Sequence, residues 1–492
     1  MKPTLRILAS CALASRIGGM KKRPAATCSQ CARFQQEKQA LQERVQHLEE
    51  AVQQLQKQLA AAKKDSSTSS KPPSSDIVKP TKPAADSNQP KRGIGGQPGH
   101  EPHVRAPFSA EQVTATHPHR LSHCPDCGGL LAETGEPPRV VQQVDLRPIT
   151  LTIEEHRSYT GWCSHCGKNV AAPLPARVEH GGLLGPQLTA LVAYLKGVCH
   201  ASFSTVRKFF RDVLHLPISR GYLSKVVNKV SAALAQPYEE LLALLPEEAF
   251  LNVDETGHKL NGAQWWTWCF RAELFVLYHI DANRSADVLM DILGKEFAGV
   301  LGCDYFGAYR RYMRECNIMV QFCLAHLIRD IKFLTTLPGR DAQAYGERLR
   351  QLVRELFTII HEREQLPARV YQQRLQAKRS EILTAGTTAV PGSRYCQTMA
   401  HRLQKHGDAY FTFITTPGIE PTNNLAEQAI RFVVIDRRIT QGTRSERGNR
   451  WSERIWTVIA TCAAQGLSVY EFLSASVRAF WSGTPPPSLV PE

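Results

Sequence analysis

The sequence predicts a multidomain α/β protein with its strands gathered in the second half. Three observations carry this. The chain has 492 residues, room for about three domains and sizeable cores. Short β-rich segments recur from residue 250 to 304, interrupted by one helical stretch, and helical spacing of apolar residues prevails across much of the rest. Hydrophobic residues make up 42% and charged residues 21% of the chain, which is the balance of a globular protein rather than a disordered or fibrous one. Sixty Lys and Arg against 45 Asp and Glu give a formal charge of +15, favouring polyanionic partners, nucleic acid before anionic membrane. No 18 apolar residues run together, so no membrane span is expected.

Residues 1–62 form an N-terminal segment. Its apolar run 7–14, behind Lys2 and Arg6, superficially resembles a short signal peptide, but it is brief, broken by Ser10 and followed by cysteines spaced for metal, so a cytoplasmic protein is expected, with Met20 as an alternative start. Within 34–60, Leu41, Val45, Leu48, Val52, Leu55 and Leu59 step by 4, 3, 4, 3, 4 in a polar background. That is an a/d seam, predicting a coiled coil and a homo-oligomer; the alternative is a helix lying on the protein's own core. Residues 63–107 are rich in Ser, Pro, Lys and Gly, with eight Lys or Arg against four acids, and read as a flexible basic linker. The linker is a tether first, and Lys91 and Arg92 are its candidate phosphate contacts.

Residues 108–180 are read as a zinc-binding domain. Six of the 14 cysteines fall in C-x-x-C pairs, Cys28/Cys31, Cys124/Cys127 and Cys163/Cys166. The first pair has no second pair nearby, whereas Cys124, Cys127, Cys163 and Cys166 supply four soft ligands for one tetrahedral Zn²⁺. Four sulfurs leave no position for water, so this zinc is expected to be structural. Between the pairs, segments 140–146 and 151–154 read as strands of a hairpin.

Residues 181–246 are helical by pattern, with Leu188, Leu191, Val192 and Leu195 on one face. Segment 204–210, a break at Leu216-Pro217 and segment 219–227 resemble a helix-turn-helix with Ser219 as N-cap of the second helix. A plain helical bundle explains the pattern equally well. In the first reading Arg220 and Lys225 are candidate DNA contacts.

The catalytic core is expected to begin in residues 247–335. Runs 250–254, 265–270 and 274–280 read as three antiparallel strands, 286–297 as a helix and 299–304 as a parallel strand ending in an acid. This is the element order of a ribonuclease H-like fold, in which Asp254 and Asp304 meet at the centre of the sheet.

The segments Asp254-Glu255-Thr256-Gly257-His258, Gly302-Cys303-Asp304-Tyr305-Phe306-Gly307-Ala308-Tyr309, Cys323-Leu324-Ala325-His326 and Thr422-Asn423-Asn424-Leu425-Ala426-Glu427-Gln428-Ala429-Ile430-Arg431 resemble the motifs of the DDE transposases of insertion sequence 66. The resemblance extends upstream through the double C-x-x-C to the linker and the heptads. It implies a triad of Asp254, Asp304 and Glu427, a mostly helical insertion at 336–415, and completion of the core in 416–492 by the helix carrying Glu427 and a basic tail. It also implies a DNA-acting, nucleoid-associated transposase that binds the terminal repeats of its own element and target DNA, with accessory transposition proteins as further partners. Two positions depart from the family pattern: Thr422, where Asp is usual, and Gln428, where Arg is usual.

The residues support the same chemistry. Phosphodiester cleavage of this kind uses two Mg²⁺, or Mn²⁺, about 4 Å apart, and such hard ions take carboxylate oxygens from separate elements. Asp254 is preferred to Glu255 because strand neighbours face opposite sides. Asn423, Glu427 and Arg431 are spaced to share a helical face. Arg431, Arg437, Arg438 and Arg444 head a basic run suited to the DNA backbone. Cys323 and His326 read as packing and orientation residues. Two rival functions are a ribonuclease H-like nuclease or junction resolvase, and a zinc-containing DNA-binding protein with an inactive core.

Overall fold

The structure, a computed structural model, describes residues 29–62, 106–132, 137–145 and 151–491. The chain divides into two compact units, one of residues 1–77 with 326–407 and one of residues 78–325 with 408–492. In the first, helix α1 (Ser29–Ala62) is a single rod. Its seam residues Leu41, Val45, Leu48, Val52, Leu55 and Leu59 are 49 to 68% exposed, so nothing among the described residues covers them.

In the second unit, strands β1 (Thr160–Cys163) and β2 (Lys168–Ala171) form an antiparallel hairpin around the second cysteine pair. The hairpin expected from 140–146 and 151–154 is absent among the described residues there. Val140, Val141, Val144 and Ile153 are 71 to 91% exposed. Their β-branched side chains meet no face on which to pack, and β propensity reflects such packing more than the backbone.

The helices that follow include α2 (Pro186–Gly197), α3 (Phe203–Asp212) and α4 (Arg220–Ala233). The Ser219 hydroxyl accepts from the Tyr222 amide at 3.1 Å and so caps α4, as the sequence predicts. On α2 the buried face is Ala190, Val192, Ala193 and Gly197, while Leu188, Leu191 and Leu195 are half-buried. A Cβ at Gly197 would stand 2.5 Å from Ile455, so only glycine allows this approach.

The central sheet comprises β3 (Phe250–Leu260), β4 (Ala263–Arg271), β5 (Val276–Asp281), β6 (Val300–Cys303) and β7 (Met319–Phe322), in the order β5-β4-β3-β6-β7. The first three strands pair antiparallel, and β6 and β7 add in parallel. Helices α5 (Ala286–Leu293) and α6 (Gly307–Cys316) make the crossovers. Four-residue β7 carries too little pattern to stand out in the sequence; pairing with β6 makes it a strand.

Helix α7 (Leu324–Leu334) leaves the sheet. In the first unit, α8 (Arg340–His361), α9 (Ala368–Thr387) and α10 (Arg394–His406) pack together, with Tyr345 donating to the Gly386 carbonyl at 2.6 Å and buried Arg402 paired with Asp330 at 2.7 Å. The chain returns to the second unit through α11 (Asn424–Thr440), α12 (Glu446–Gln465) and α13 (Val469–Ser482). Helix α12 covers the edge strand β5: Thr461, Thr457 and Glu453, one turn apart, accept from the amides of Val276, Tyr278 and Ile280 at 3.2, 3.1 and 2.7 Å. An edge whose amides are taken by side chains is no template for another strand.

Candidate active site

Asp254 lies mid-strand on β3, with Oδ1 accepting from the Glu255 amide at 2.9 Å. Asp304 directly follows β6, and its Oδ1 accepts from the Phe306 amide at 2.8 Å, a turn that launches α6. Glu427 stands in the first turn of α11. These acids, far apart in sequence, act on one another. The Asp254 carboxyl is held well above the usual carboxylate range by burial first, then by the charges of Glu255, Asp304 and Glu427. Carboxylates crowded in this way repel each other until a multivalent cation is supplied, and their hard oxygens suit Mg²⁺ or Mn²⁺.

Glu255, the neighbour of Asp254, is engaged elsewhere. Its side chain is buried against the Arg284 guanidinium and accepts from the Tyr309 hydroxyl. Arg284 in turn stacks on Trp266 and Phe306, 4.5 and 3.9 Å from the ring centroids. Sequence reading did not single out Arg284, and it named Tyr309 only as the end of a motif, with no role. The available signal was the buried acid itself, which needs a partner.

Behind the acids sits a buried amide pair. Asn252 Nδ2 donates to Asn423 Oδ1 at 2.8 Å, and Asn423 Nδ2 donates to the Val253 carbonyl at 2.8 Å. The Asn423 backbone amide donates to Cys323 Sγ at 3.2 Å. Cys323 Sγ also comes within 4.8 Å of a Glu427 carboxylate oxygen. His326, on the first turn of α7, is buried. Asn252 was also missed, although an amide within an apolar strand run is a visible anomaly.

Asn423, Glu427 and Arg431 pass from buried through half-buried to exposed. Each four-residue step turns a helix about 40° beyond a full circle, so the shared face drifts outward. Arg431, Arg438 and Arg444 are exposed, as are Arg220 and Lys225 on α4. Arg437 differs: it is half-buried, and its Nη1 donates to Thr256 Oγ1 at 3.0 Å, so it secures β3. Lys91 and Arg92 lie outside the described residues.

The two cysteine knuckles are twins. Gly128 and Gly167 adopt φ of +75° and +63°, and their amides donate to the Cys124 and Cys163 carbonyls, each at 2.9 Å. Backbone amides and the paired thiol lower the Cys124 and Cys163 thiols, the state that favours thiolate and metal. The structure joins the cysteines within each knuckle and does not gather all four within 4.8 Å. The donor set, four thiols on two matching turns, fits zinc.

Comparison with known proteins adds family. Residues 181–450 match the family described as "Transposase IS66 family", residues 122–167 match "zinc-finger binding domain of transposase IS66", and residues 24–106 match a family of unknown function, DUF6444. Two uncharacterized proteins of Sinorhizobium fredii, y4hP and y4qI, are 22% and 24% identical over alignments of 376 and 351 residues that cover 69% and 64% of this chain. The matches span 67% and 63% of those proteins.

Proposed function

Because the chain belongs to the IS66 transposase family, we propose that it binds the ends of its own insertion sequence and catalyses DNA cleavage and strand transfer through Asp254, Asp304 and Glu427. The observation that carries this reading is the Asp254 carboxyl, raised by burial first, then by the charge of its neighbour Glu255 and by those of Asp304 and Glu427, which act on it from separate elements. The core is read as ribonuclease H-like on its strand order, three antiparallel strands followed by two parallel ones. Asp254, Asp304 and Glu427 would hold two divalent ions, Mg²⁺ or Mn²⁺. Bound there, such ions activate the attacking oxygen and stabilise the leaving one. The protein's own part is to fix the three carboxylates, and to hold the DNA backbone with Arg431, Arg438 and Arg444 beside the site and Arg220 and Lys225 on α4.

Cys124, Cys127, Cys163 and Cys166 would hold one structural zinc. Helix α1 would pair with a second copy along its exposed seam. The partners are then terminal-repeat and target DNA, a second protomer and accessory transposition proteins. Among the described residues no helix is long and apolar enough to cross a membrane. The test is a strand-transfer assay with the purified protein, Mg²⁺ and DNA from the ends of the source element. Joined products support the reading, cleavage without joining favours a nuclease or resolvase, and binding without cleavage favours an inactive core.

A further inference from the structure

We propose that Asn252 and Asn423 are positioning residues for the acidic site, a buried clasp that sets the Glu427 carboxylate against Asp254 and Asp304. The inference rests on the triad reading above and adds residues that do not themselves touch substrate. Both amides are 1% exposed. Their placement links every element that bears an acid. Asn252 lies two residues before Asp254 on β3 and is in register with Gly302 of β6, two residues before Asp304. Asn423 precedes α11, and its carbonyl accepts from the Glu427 amide at 3.2 Å, so fixing Asn423 fixes the turn that carries Glu427.

Three further bonds leave Asn423 little freedom. Its Oδ1 accepts from Asn252, its Nδ2 donates to Val253 and its backbone amide donates to Cys323 Sγ. Cys323 is itself tied to β6, its amide donating to the Cys303 carbonyl at 2.8 Å. Gly302 completes the fit: a Cβ there would lie 2.6 Å from Asn252 Nδ2. The sheet leaves out one side chain where the amide needs room. Burying two amides costs free energy unless each is bonded, and two apolar side chains would fill the volume without that demand. What the amides add is direction, since each bond holds only over a narrow range of distance and angle.

The test is Mn²⁺ titration of the full chain by calorimetry, without DNA, for Asn252→Ala, Asn423→Ala, the double variant and a Glu427→Gln control, with folding checked by circular dichroism. The clasp predicts that each folded single variant binds Mn²⁺ at least about tenfold more weakly than the parent. It also predicts that the double variant is no worse than the poorer single one, because both remove the same bond. Folded single variants with affinity within about twofold of the parent overturn the clasp. If neither single variant folds, the pair is a stability element and the positioning role is likewise overturned. Unchanged Mn²⁺ binding by Glu427→Gln would instead overturn the triad reading, so the two failures are told apart.

Discussion

Arg284 reaches Oε1 of Glu255 through Nε at 2.8 Å and Nη2 at 2.5 Å, from a guanidinium stacked on Phe306. With its other oxygen accepting from the Tyr309 hydroxyl, both oxygens of the Glu255 carboxylate are engaged, and strand alternation turns it to the side of the sheet away from Asp254. Two adjacent acids thus have different work, and substitution should separate them. Glu255→Gln is expected to lose roughly 1–3 kcal/mol of stability, the scale of charged hydrogen bonds, while keeping measurable cleavage. Asp254→Asn should do the reverse. Thermal unfolding and a cleavage assay on both variants check this; loss of cleavage by a fully stable Glu255→Gln variant would contradict it.

The twin knuckles predict about one zinc per chain. Elemental analysis should find it, and Cys163→Ser with Cys166→Ser should release it, since two remaining thiols cannot complete a tetrahedral set. Chelation should unfold the region around the knuckles, seen as new protease sites, and leave the central sheet intact. Zinc retained in the double variant would count against the assignment.

The exposed seam of α1 predicts self-association. Removing residues 1–62, or introducing Leu48→Asp with Leu55→Asp, should lower the mass measured by light scattering, because a charge in an a/d seam has no partner. An unchanged mass would place the interface elsewhere.

Glu453 gives stability a pH dependence. Burial pushes its carboxyl from 4.5 up to about 7, partly offset by its bonds from Ile280 and Arg450 and by the charge of Arg454. Between these values the folded state holds a proton that the unfolded chain has lost, so stability from this group is full below about 4.5 and is lost as pH rises through 7. The nearby His279 is pushed down by burial and works the other way below 6.5, which makes the comparison with a variant necessary. Relative to Glu453→Gln, the parent should lose up to ~1.4 kcal/mol per pH unit across this window. Parallel melting-temperature curves from pH 5 to 8 would rule the effect out.

How far the sequence carried depends on the kind of signal. Asp254, Asp304 and Glu427 stood out because each sits in a short segment dense in unusual residues, and Ser219 because capping is a local rule. The antiparallel order of β3, β4 and β5 was legible because each strand is long enough to show its pattern. What escaped depends on distant partners. Nothing near Arg437 in sequence says that it turns inward to Thr256, when Arg438 beside it faces solvent. The valines at 140, 141 and 144 read as strand because propensity assumes a packing surface that this segment lacks. Nothing around Glu453 in sequence marks it, because its partner is the Ile280 amide on the edge of β5, 173 residues away.

Whether three carboxylates from separate elements make one site is read out by single-turnover cleavage of element-end DNA by Asp254→Ala, Asp304→Ala and Glu427→Ala, with end binding measured in parallel. Removing a ligand from such a site should cost several kcal/mol of transition-state stabilisation, roughly 10³-fold or more in rate. Binding, assigned in this proposal to Arg431, Arg438 and Arg444 on the phosphates, should persist within a few-fold. Each variant is therefore expected to bind ends and cut none, in Mg²⁺ or Mn²⁺. Near-parental cleavage by Glu427→Ala would remove the third acid from the site, and near-parental cleavage by all three would contradict the account.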